Sequence, residues 1–169
     1  MFDVALMGSI VLEARVRQAA LNTGEVFIGF SDVNTDLAII EGAICHGDTV
    51  TVTLTASDLV GFLMASDLTD NSDWHGVYNG GTTTGETVST SLDFDAGATA
   101  GEYQVLRLEL FPNGTAEWWV DGVLEQTVTG AVSTSVDLCL NVIVESKTTA
   151  VKTMDVDYIR VWANRDWTA

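Results

Sequence analysis

Short segments of alternating apolar and polar residues recur along this chain, about 8 to 12 residues apart, with turn-forming Gly, Asn and Asp residues between them. No stretch of useful length carries the 3.6-residue apolar period of an amphipathic helix. Fifteen glycines and a single proline suit strands joined by tight turns. At 169 residues the chain can bury a sizeable core. The sequence therefore predicts one all-β domain over residues 1–169, a sandwich or a barrel.

Two turn dipeptides mark the clearest local structure. Asn113-Gly114 and Asp121-Gly122 each tolerate positive φ at both central turn positions, so each favours a tight hairpin. Leucines alternate with charged residues before the first turn, and the alternation resumes after the second. Residues 103–128 are therefore predicted to form a three-stranded antiparallel meander.

Trp118 and Trp119 lie between these two turns. Successive side chains of a strand point to opposite faces, so the two tryptophans must separate. One is expected in the core and the other on the far face of the sheet.

The remaining strands follow from the same patterns. They are expected at residues 10–17, 26–30, 37–44, 49–55, 59–65, 74–78, 87–92, 136–144 and 152–165. The strand at 59–65 is expected to pair with the strand at 49–55 across a short turn. The last strand has apolar residues on both faces, which predicts a central position in its sheet.

The charge balance excludes some partners. The chain has 24 acidic and 7 basic residues, a net charge of −17. Such a chain should repel nucleic acid and anionic membranes, because binding phosphate requires clustered Lys and Arg. The acidic surface suggests either a saline environment or a cationic partner surface.

The sequence also shows no membrane or secretion signal. No apolar run is long enough to span a membrane. Asp3 occupies a position where a secretory signal would be basic, so no cleaved signal is expected.

Few residues suggest catalysis. The pairs Asp93/Asp95 and Asp155/Asp157 could each bring two carboxylates to one strand face, as glycoside hydrolases require. Neither pair has a third acid in step, and aspartates on a solvated strand face explain both pairs. The chain is therefore not expected to be an enzyme.

The histidines and cysteines give no further catalytic or zinc pattern. His46 and His75 are the only histidines, and with Cys45 and Cys139 they do not match zinc-ligand spacing. Cys45 and Cys139 are interpreted as ordinary thiols, with a single bridge between them left open. No cofactor is expected.

The loop at residues 66–74, SDLTDNSDW, concentrates oxygen ligands. Asp67, Asp70 and Asp73 are candidate calcium ligands. The spacing lacks the alternating ligands and the glycine of an EF-hand loop. Asp and Asn also form turns without any metal, so both interpretations stay open.

Four aromatic residues could stack on a sugar ring. They are Trp74, Tyr78, Trp118 and Trp119. Aromatic residues of a β-sandwich also pack in the core or between subunits, and nothing in the sequence singles out a sugar site.

Several segments taken together resemble a known superfamily. The segments IVLEARVR, GEVFIGFSD, GEYQVLRLELFPNGTAEWWVDGVL and KTMDVDYIRVWANR are similar to those of the concanavalin A-like lectin/glucanase superfamily. The resemblance implies a jelly roll of two antiparallel sheets. The catalytic strand of the laminarinase-type hydrolases, two glutamates flanking an aspartate, has no counterpart here, so no catalytic residue is carried over.

A finer resemblance covers residues 10–165. The order of VFIGFSD, GFLMASDLTDNSDWHGV, GEYQVLRLE, NGTAEWWVDGVL and KTMDVDYIRV resembles tailed-phage virion proteins of the capsid-decoration type. It implies a non-enzymatic structural protein on the outer surface of a capsid. Its partners would be the major capsid protein and further copies of the chain, as a trimer or dimer. The alternative is a carbohydrate-binding module, which on a virion could serve host adhesion.

Overall fold

The computed structural model describes residues 1–35 and 39–164 as two antiparallel β-sheets packed face to face. The strands are β1 (Phe2–Asp3), β2 (Ile10–Gln18), β3 (Gly24–Ser31), β4 (Cys45–Asp48), β5 (Thr51–Leu54), β6 (Leu59–Ala65), β7 (Asp73–Asn79), β8 (Asp93–Gly97), β9 (Tyr103–Leu110), β10 (Ala116–Val120), β11 (Val123–Val128), β12 (Asp137–Ser146) and β13 (Met154–Trp162). A π-helical turn (Ile40–Ile44) and an α-helical turn, α1 (Ser89–Leu92), are the helical elements of these ranges. Neither is long and apolar enough to cross a membrane.

The strand order defines the two layers. One sheet has six strands in the order β1-β12-β3-β6-β7-β8, and the other has five in the order β11-β10-β9-β2-β13. The hairpin β4-β5 stands apart from both. The predicted all-β class and the two-sheet antiparallel β-sandwich of the jelly-roll type are confirmed.

Strand β2 shows how the sequence produces this layering. Its even-numbered side chains are buried between the sheets, and its odd-numbered side chains lie on the outer face of the five-stranded sheet. The period-two pattern therefore assigns every residue of the strand to a face. Strands β9 and β10 alternate in the same way.

The six-stranded sheet carries a cover on its outer face. Strands β3 and β6 are buried along their whole length, and on the outer face the π-helical turn contacts β3 and strand β4 contacts β6. The approach is close at Gly47, where a Cβ atom would lie 2.5 Å from the Leu68 side chain and 2.8 Å from that of Ala65. The backbone N–H of Gly47 donates to the buried Glu25 carboxylate at 3.2 Å. The five-stranded sheet has no comparable cover within the described ranges, so its outer face is open.

Aromatic side chains fill the space between the two sheets. Phe62 packs edge-on against Trp74 and Phe94, with ring centroids 6.2 and 6.1 Å apart. Tyr78 packs against Trp118 at 6.1 Å. Such contacts stabilise the core beyond the burial of apolar area.

The predicted meander is confirmed. Strands β9, β10 and β11 follow one another in sequence and pair antiparallel. Asp121 and Gly122 have φ of 49° and 84°, as the tight turn requires. The first turn is longer than predicted, because residues 111–115 form a five-residue loop in which Gly114 takes positive φ and Asn113 does not.

Two predicted strands are helical turns instead. In the predicted strand 37–44, residues 40–44 form the π-helical turn and residues 37 and 38 lie outside the described residues. Ile40 and Ile44 are both buried there, four residues apart, so a short apolar run concealed a helical spacing. The predicted strand at 87–92 is wrong at Ser89–Leu92, which form α1.

Two predicted pairings are also wrong. Strand β6 pairs with β3 and β7, whereas β5 pairs with β4. Strand β13 is an edge strand that pairs with β2, not a central strand. Apolar residues stay accessible on both faces of this edge strand: Val156, opposite the buried Val16, is 44% exposed, and Trp162, opposite Val11 on the outer face, is 47% exposed. The alternation of apolar and polar residues predicts which face of the sheet each side chain lies on, but it does not predict which strands lie on either side.

Both cysteines are free thiols. Cys45 is buried in β4, and Cys139 is half-buried in β12. Burial raises the pKa of Cys45, which keeps this thiol protonated.

Candidate functional site

The open face of the five-stranded sheet carries charged and aromatic side chains in rows that cross the strands. Trp119 of β10 pairs with Arg107 of β9, and Arg107 pairs with Glu13 of β2. Glu13 pairs in turn with Arg160 of β13. Directly paired residues have Cβ atoms about 4.5 to 5.5 Å apart, so these four side chains form one contiguous row.

A cleft of about 320 Å³ lies over this row. It is lined by Glu13, Val105, Arg107, Trp119 and Gly122. The absence of a side chain at Gly122, in the β10–β11 turn, keeps this end of the cleft open. The lining thus combines an aromatic wall with two charged groups.

A second depression adjoins the first at Arg107. It has a volume of about 310 Å³ and is lined by Val11, Arg107 and Trp162. The two depressions share Arg107 and lie side by side on the open face, and together they are here called the Trp119–Trp162 groove. The two tryptophans lie three strands apart in the sheet order, a separation of about 14 Å at the usual strand spacing.

Two hydrogen-bond donors in the groove have no acceptor among the described residues. They are Nε of Arg107 and Nε1 of Trp119, both shielded from solvent. The Nη2 atom of Arg107 donates to Glu109 at 2.8 Å, which fixes the plane of the guanidinium. The Arg107 side chain as a whole is 42% exposed, so its guanidinium group can meet a ligand that carries hydroxyl or carboxylate oxygens.

The carboxylate of Glu13 is hydrogen-bonded to a residue of the neighbouring strand β13. The hydroxyl of Tyr158 donates to Glu13 Oε1 at 2.9 Å, and this hydrogen bond is the main reason that the pKa of Tyr158 is raised. Tyr158 therefore stays protonated at neutral pH and acts as a donor, not as a base. Arg160 stacks over its ring, 4.9 Å from the centroid.

The end of the face beyond the groove is occupied by ion pairs. Arg15 donates to Asp157 at 2.7 Å, and Arg17 donates to Asp155. Both guanidinium groups also lie over the ring of Tyr103, at 4.3 and 4.9 Å. Asp155 and Asp157, considered above as a hydrolase pair, therefore serve as partners of arginines.

Three of the four predicted sugar-stacking residues are in the core. Trp74 and Trp118 are buried, and their indole N–H groups donate within the protein, to Gln104 Oε1 and to the carbonyl of Gly61, each at 2.9 Å. Tyr78 is buried against Trp118. As ligand contacts these three predictions are wrong, and Trp119 alone remains.

Sequence reasoning missed most of the groove. Glu13, Arg107 and Trp162 lie on three different strands. Period-two alternation places Glu13 and Arg107 on the outer face, whereas Trp162 reaches that face only because β13 has an irregularity between Val156 and Tyr158. What the sequence lacks is the strand order, which brings β9, β2 and β13 together. The unusual clustering of Trp119 and Trp162 on one face was therefore not predictable.

The predicted calcium loop divides between two places. Asp67 lies 3.9 Å from Lys147 Nζ, whereas Asp70 lies 3.2 Å from His75 Nε2 on the other side of the loop. Asp73 contributes its backbone carbonyl to the same histidine. The three aspartates thus do not form a single oxygen cage.

Comparison with known proteins identifies the fold. No protein-family model matches the chain, and no curated protein matches it significantly. Solved structures do match, and they are concanavalin A-like sandwiches. An alginate lyase from Pseudomonas aeruginosa has 12% identity and a TM-score of 0.59, and the match covers 95% of this chain and 67% of the lyase.

Two further structures show the same fold. A β-glucanase from Bacillus licheniformis has 17% identity and a TM-score of 0.52, with 94% of this chain and 67% of the enzyme covered. A carbohydrate esterase from the Shiga toxin-encoding bacteriophage phi24B has 17% identity and a TM-score of 0.50, with 95% and 70% covered. At these identities the likeness concerns the fold alone.

These structures contradict the expectation that the chain is not an enzyme. The similar structures are mainly enzymes. That expectation depended on a missing hydrolase motif, but the same fold also carries a lyase and an esterase. The absence of one catalytic strand pattern excludes only the chemistry of that pattern.

Proposed function

We propose that this chain binds a polysaccharide in the Trp119–Trp162 groove. The observation that carries the proposal is the flanking of the polar pair Arg107 and Glu13 by two accessible indole rings on one open sheet face. Binding is the step that the side chains of the groove explain, whether or not cleavage follows it.

The chemistry of the groove suits a sugar chain. A pyranose ring has apolar C–H faces and a rim of hydroxyl groups, so it needs flat apolar surfaces with polar groups between them. Indole rings supply the flat surfaces. The exposed part of the Arg107 guanidinium supplies donors, and the Glu13 carboxylate supplies acceptors. Few polar groups at fixed positions in a largely apolar site are typical of small-ligand recognition.

The ligand class is supported by the proteins that share the fold. An alginate lyase, a β-glucanase and a carbohydrate esterase are all named for saccharide substrates. Arg107 extends the choice to carboxylated sugars, because its guanidinium lines both parts of the groove. Arg15 and Arg17 lie on the same face outside the groove, where they are paired with Asp157 and Asp155.

The test is titration calorimetry of the full chain with alginate oligosaccharides and with β-glucan oligosaccharides. Trp119→Ala and Trp162→Ala should each weaken binding at least about tenfold, equivalent to about 1.4 kcal/mol. Tyr103→Ala is the matched control, since Tyr103 is an aromatic residue of the same face that lies under Arg15 and Arg17, outside the groove. It should leave the affinity within about twofold.

Two outcomes would overturn the proposal: no saturable binding to either oligosaccharide, or equal loss of affinity in the Tyr103 variant. Release of new sugar-chain ends in the same solutions shows whether the bound chain is also cleaved. Thermal unfolding of each variant confirms that its fold is intact.

The place on a tailed-virus capsid that the finer resemblance implies stays a prediction. It is tested by electron microscopy of virions, in which many regularly spaced copies on the head would support it. A saccharide-binding face turned outward from such a shell would be accessible to host glycans, and multiple copies would add avidity.

A further inference from the structure

A second polar cluster lies at the opposite sheet, on its β8 edge. His75 of β7 is the cross-strand partner of Asp93 of β8. Asp70, from the loop before β7, reaches the same point. One ligand atom from each of the three side chains lies within 4.8 Å of the other two.

The imidazole of His75 is held in a defined orientation. It is completely buried, and its Nδ1 lies 3.1 Å from the backbone carbonyl of Asp73. Because the carbonyl can only accept, Nδ1 carries the proton and donates. The lone pair of neutral imidazole is then on Nε2.

That lone pair faces a carboxylate. Nε2 lies 3.2 Å from Asp70 Oδ2, yet the two atoms are not aligned as a hydrogen bond, and Nε2 has no hydrogen-bond partner among the described residues. The other carboxylate oxygen of Asp70, Oδ1, is also buried without a partner. Two acceptors held against each other in a buried site are unfavourable unless a proton or a metal ion lies between them. A proton on Nε2 would give an ion pair with Asp70, but it would leave Asp70 Oδ1 without a partner.

We propose that His75, Asp70 and Asp93 bind a divalent transition-metal ion, with zinc as the reference ion. In a tetrahedral zinc site, bond lengths of about 2.0 to 2.1 Å separate adjacent ligand atoms by about 3.3 Å. The Nε2–Oδ2 distance of 3.2 Å matches this separation. Three protein ligands leave a fourth position for water or a substrate group.

The surroundings fit a metal ligand set. A metal-binding histidine usually donates its other ring N–H to a carbonyl, as His75 does to Asp73. Asp93 is oriented as well, since its Oδ1 accepts from the backbone N–H of Asp95 at 3.0 Å. The nitrogen ligand favours zinc-like ions over calcium, which takes six to eight oxygen ligands.

The test is calorimetric titration of the untagged full chain, stripped with chelator, first with zinc chloride and then with calcium chloride. Zinc should bind with one-to-one stoichiometry and raise the melting temperature. Asp70→Asn and Asp93→Asn should each weaken zinc binding at least about tenfold. These variants keep the shape of the side chain, so the melting temperature of the metal-free protein checks their folding.

Two control variants match the ligand types. Asp95→Asn removes a carboxylate two residues along β8 from the proposed ligand Asp93. His46→Gln removes the only other histidine of the chain. Both should bind zinc within about threefold of the wild type.

Any of three results with the wild type and the ligand variants, or one with a control variant, would overturn the assignment. The three results are the lack of saturable zinc binding, equal affinity in the Asp70 and Asp93 variants and the wild type, and binding of calcium in preference to zinc. Zinc binding lost with His46→Gln instead would place the ion elsewhere. None of these results bears on the Trp119–Trp162 groove, which lies on the other sheet.

Discussion

Trp118 and Trp119 are consecutive residues of β10 that point to opposite faces of one sheet. Trp118 is fully buried between the sheets and donates its indole N–H to the Gly61 carbonyl of the facing sheet at 2.9 Å. Trp119 faces outward and lines the groove. One residue thus joins the two layers, and its neighbour forms part of the proposed binding surface.

Because Trp118 is buried and Trp119 faces outward, replacing each of them with alanine should have different effects on stability. Trp118→Ala should lower the free energy of unfolding by about 3 to 5 kcal/mol, because it creates a large cavity and removes a buried hydrogen bond between the two sheets. Trp119→Ala should lower it by about 1 kcal/mol or less, since outer-face substitutions leave the core packing unchanged. Urea denaturation of both variants measures the difference. Equal losses would contradict the separation of the two side chains.

Glu25 predicts a pH dependence of stability. Burial is the main cause that raises the pKa of this carboxyl from its usual 4.5 to about 7, against the opposing charge of Lys147 4.0 Å away. Between these two values the folded protein binds more protons than the unfolded chain, so stability falls as the pH rises. The stability associated with protonated Glu25 is complete below pH 4.5 and is lost as the pH passes through 7. The contribution is about 1 to 3 kcal/mol, after allowance for residual solvation.

The control for this effect is Glu25→Gln, which retains an acceptor for the Gly47 N–H and removes the ionisable group. Denaturant unfolding at pH 5, 6, 7 and 8 should show a smaller decline for the variant than for the wild type. Parallel curves for the two proteins would mean that Glu25 is not responsible.

The local structure of the fold was largely predictable. The alternation in β2, and the Asp121-Gly122 turn with both residues at positive φ, follow from the residues alone. Long-range pairing did not follow. The π-helical turn at Ile40–Ile44 and the edge position of β13 depend on which surfaces meet in three dimensions. Short apolar runs do not encode that information.

The candidate sites were less predictable than the fold. Of the four aromatic candidates only Trp119 faces outward, because a large aromatic residue suits both a core and a binding surface. The proposed metal site joins Asp70 to Asp93, which are 23 positions apart in the chain and come together through the β7–β8 pairing. No spacing rule for a contiguous loop could have identified it.

The charge of the chain predicts a salt dependence. With a net charge of −17, repulsion among carboxylates should destabilise the folded state at low ionic strength. The screening length falls from about 30 Å at 0.01 M salt to about 3 Å at 1 M. The melting temperature should therefore rise with sodium chloride over this range, as differential scanning calorimetry can measure. A flat or falling curve would argue against adaptation to a saline environment.

Gly122→Val tests the turn that ends the groove. Gly122 has a φ of 84°, a conformation in which a β-branched side chain is strained even though a Cβ atom would contact nothing within 4 Å. The strain should lower the free energy of unfolding by about 1 to 3 kcal/mol.

Asp121→Asn is the matched control, because Asn-Gly suits the same turn. The amide oxygen of Asn can still accept the hydrogen bond that Val105 N–H donates to Asp121 Oδ1 at 2.8 Å. The control should unfold within about 0.5 kcal/mol of the wild type in urea. If Gly122→Val unfolds at the same urea midpoint as the wild type, strain at the turn does not limit the stability of the β10–β11 hairpin.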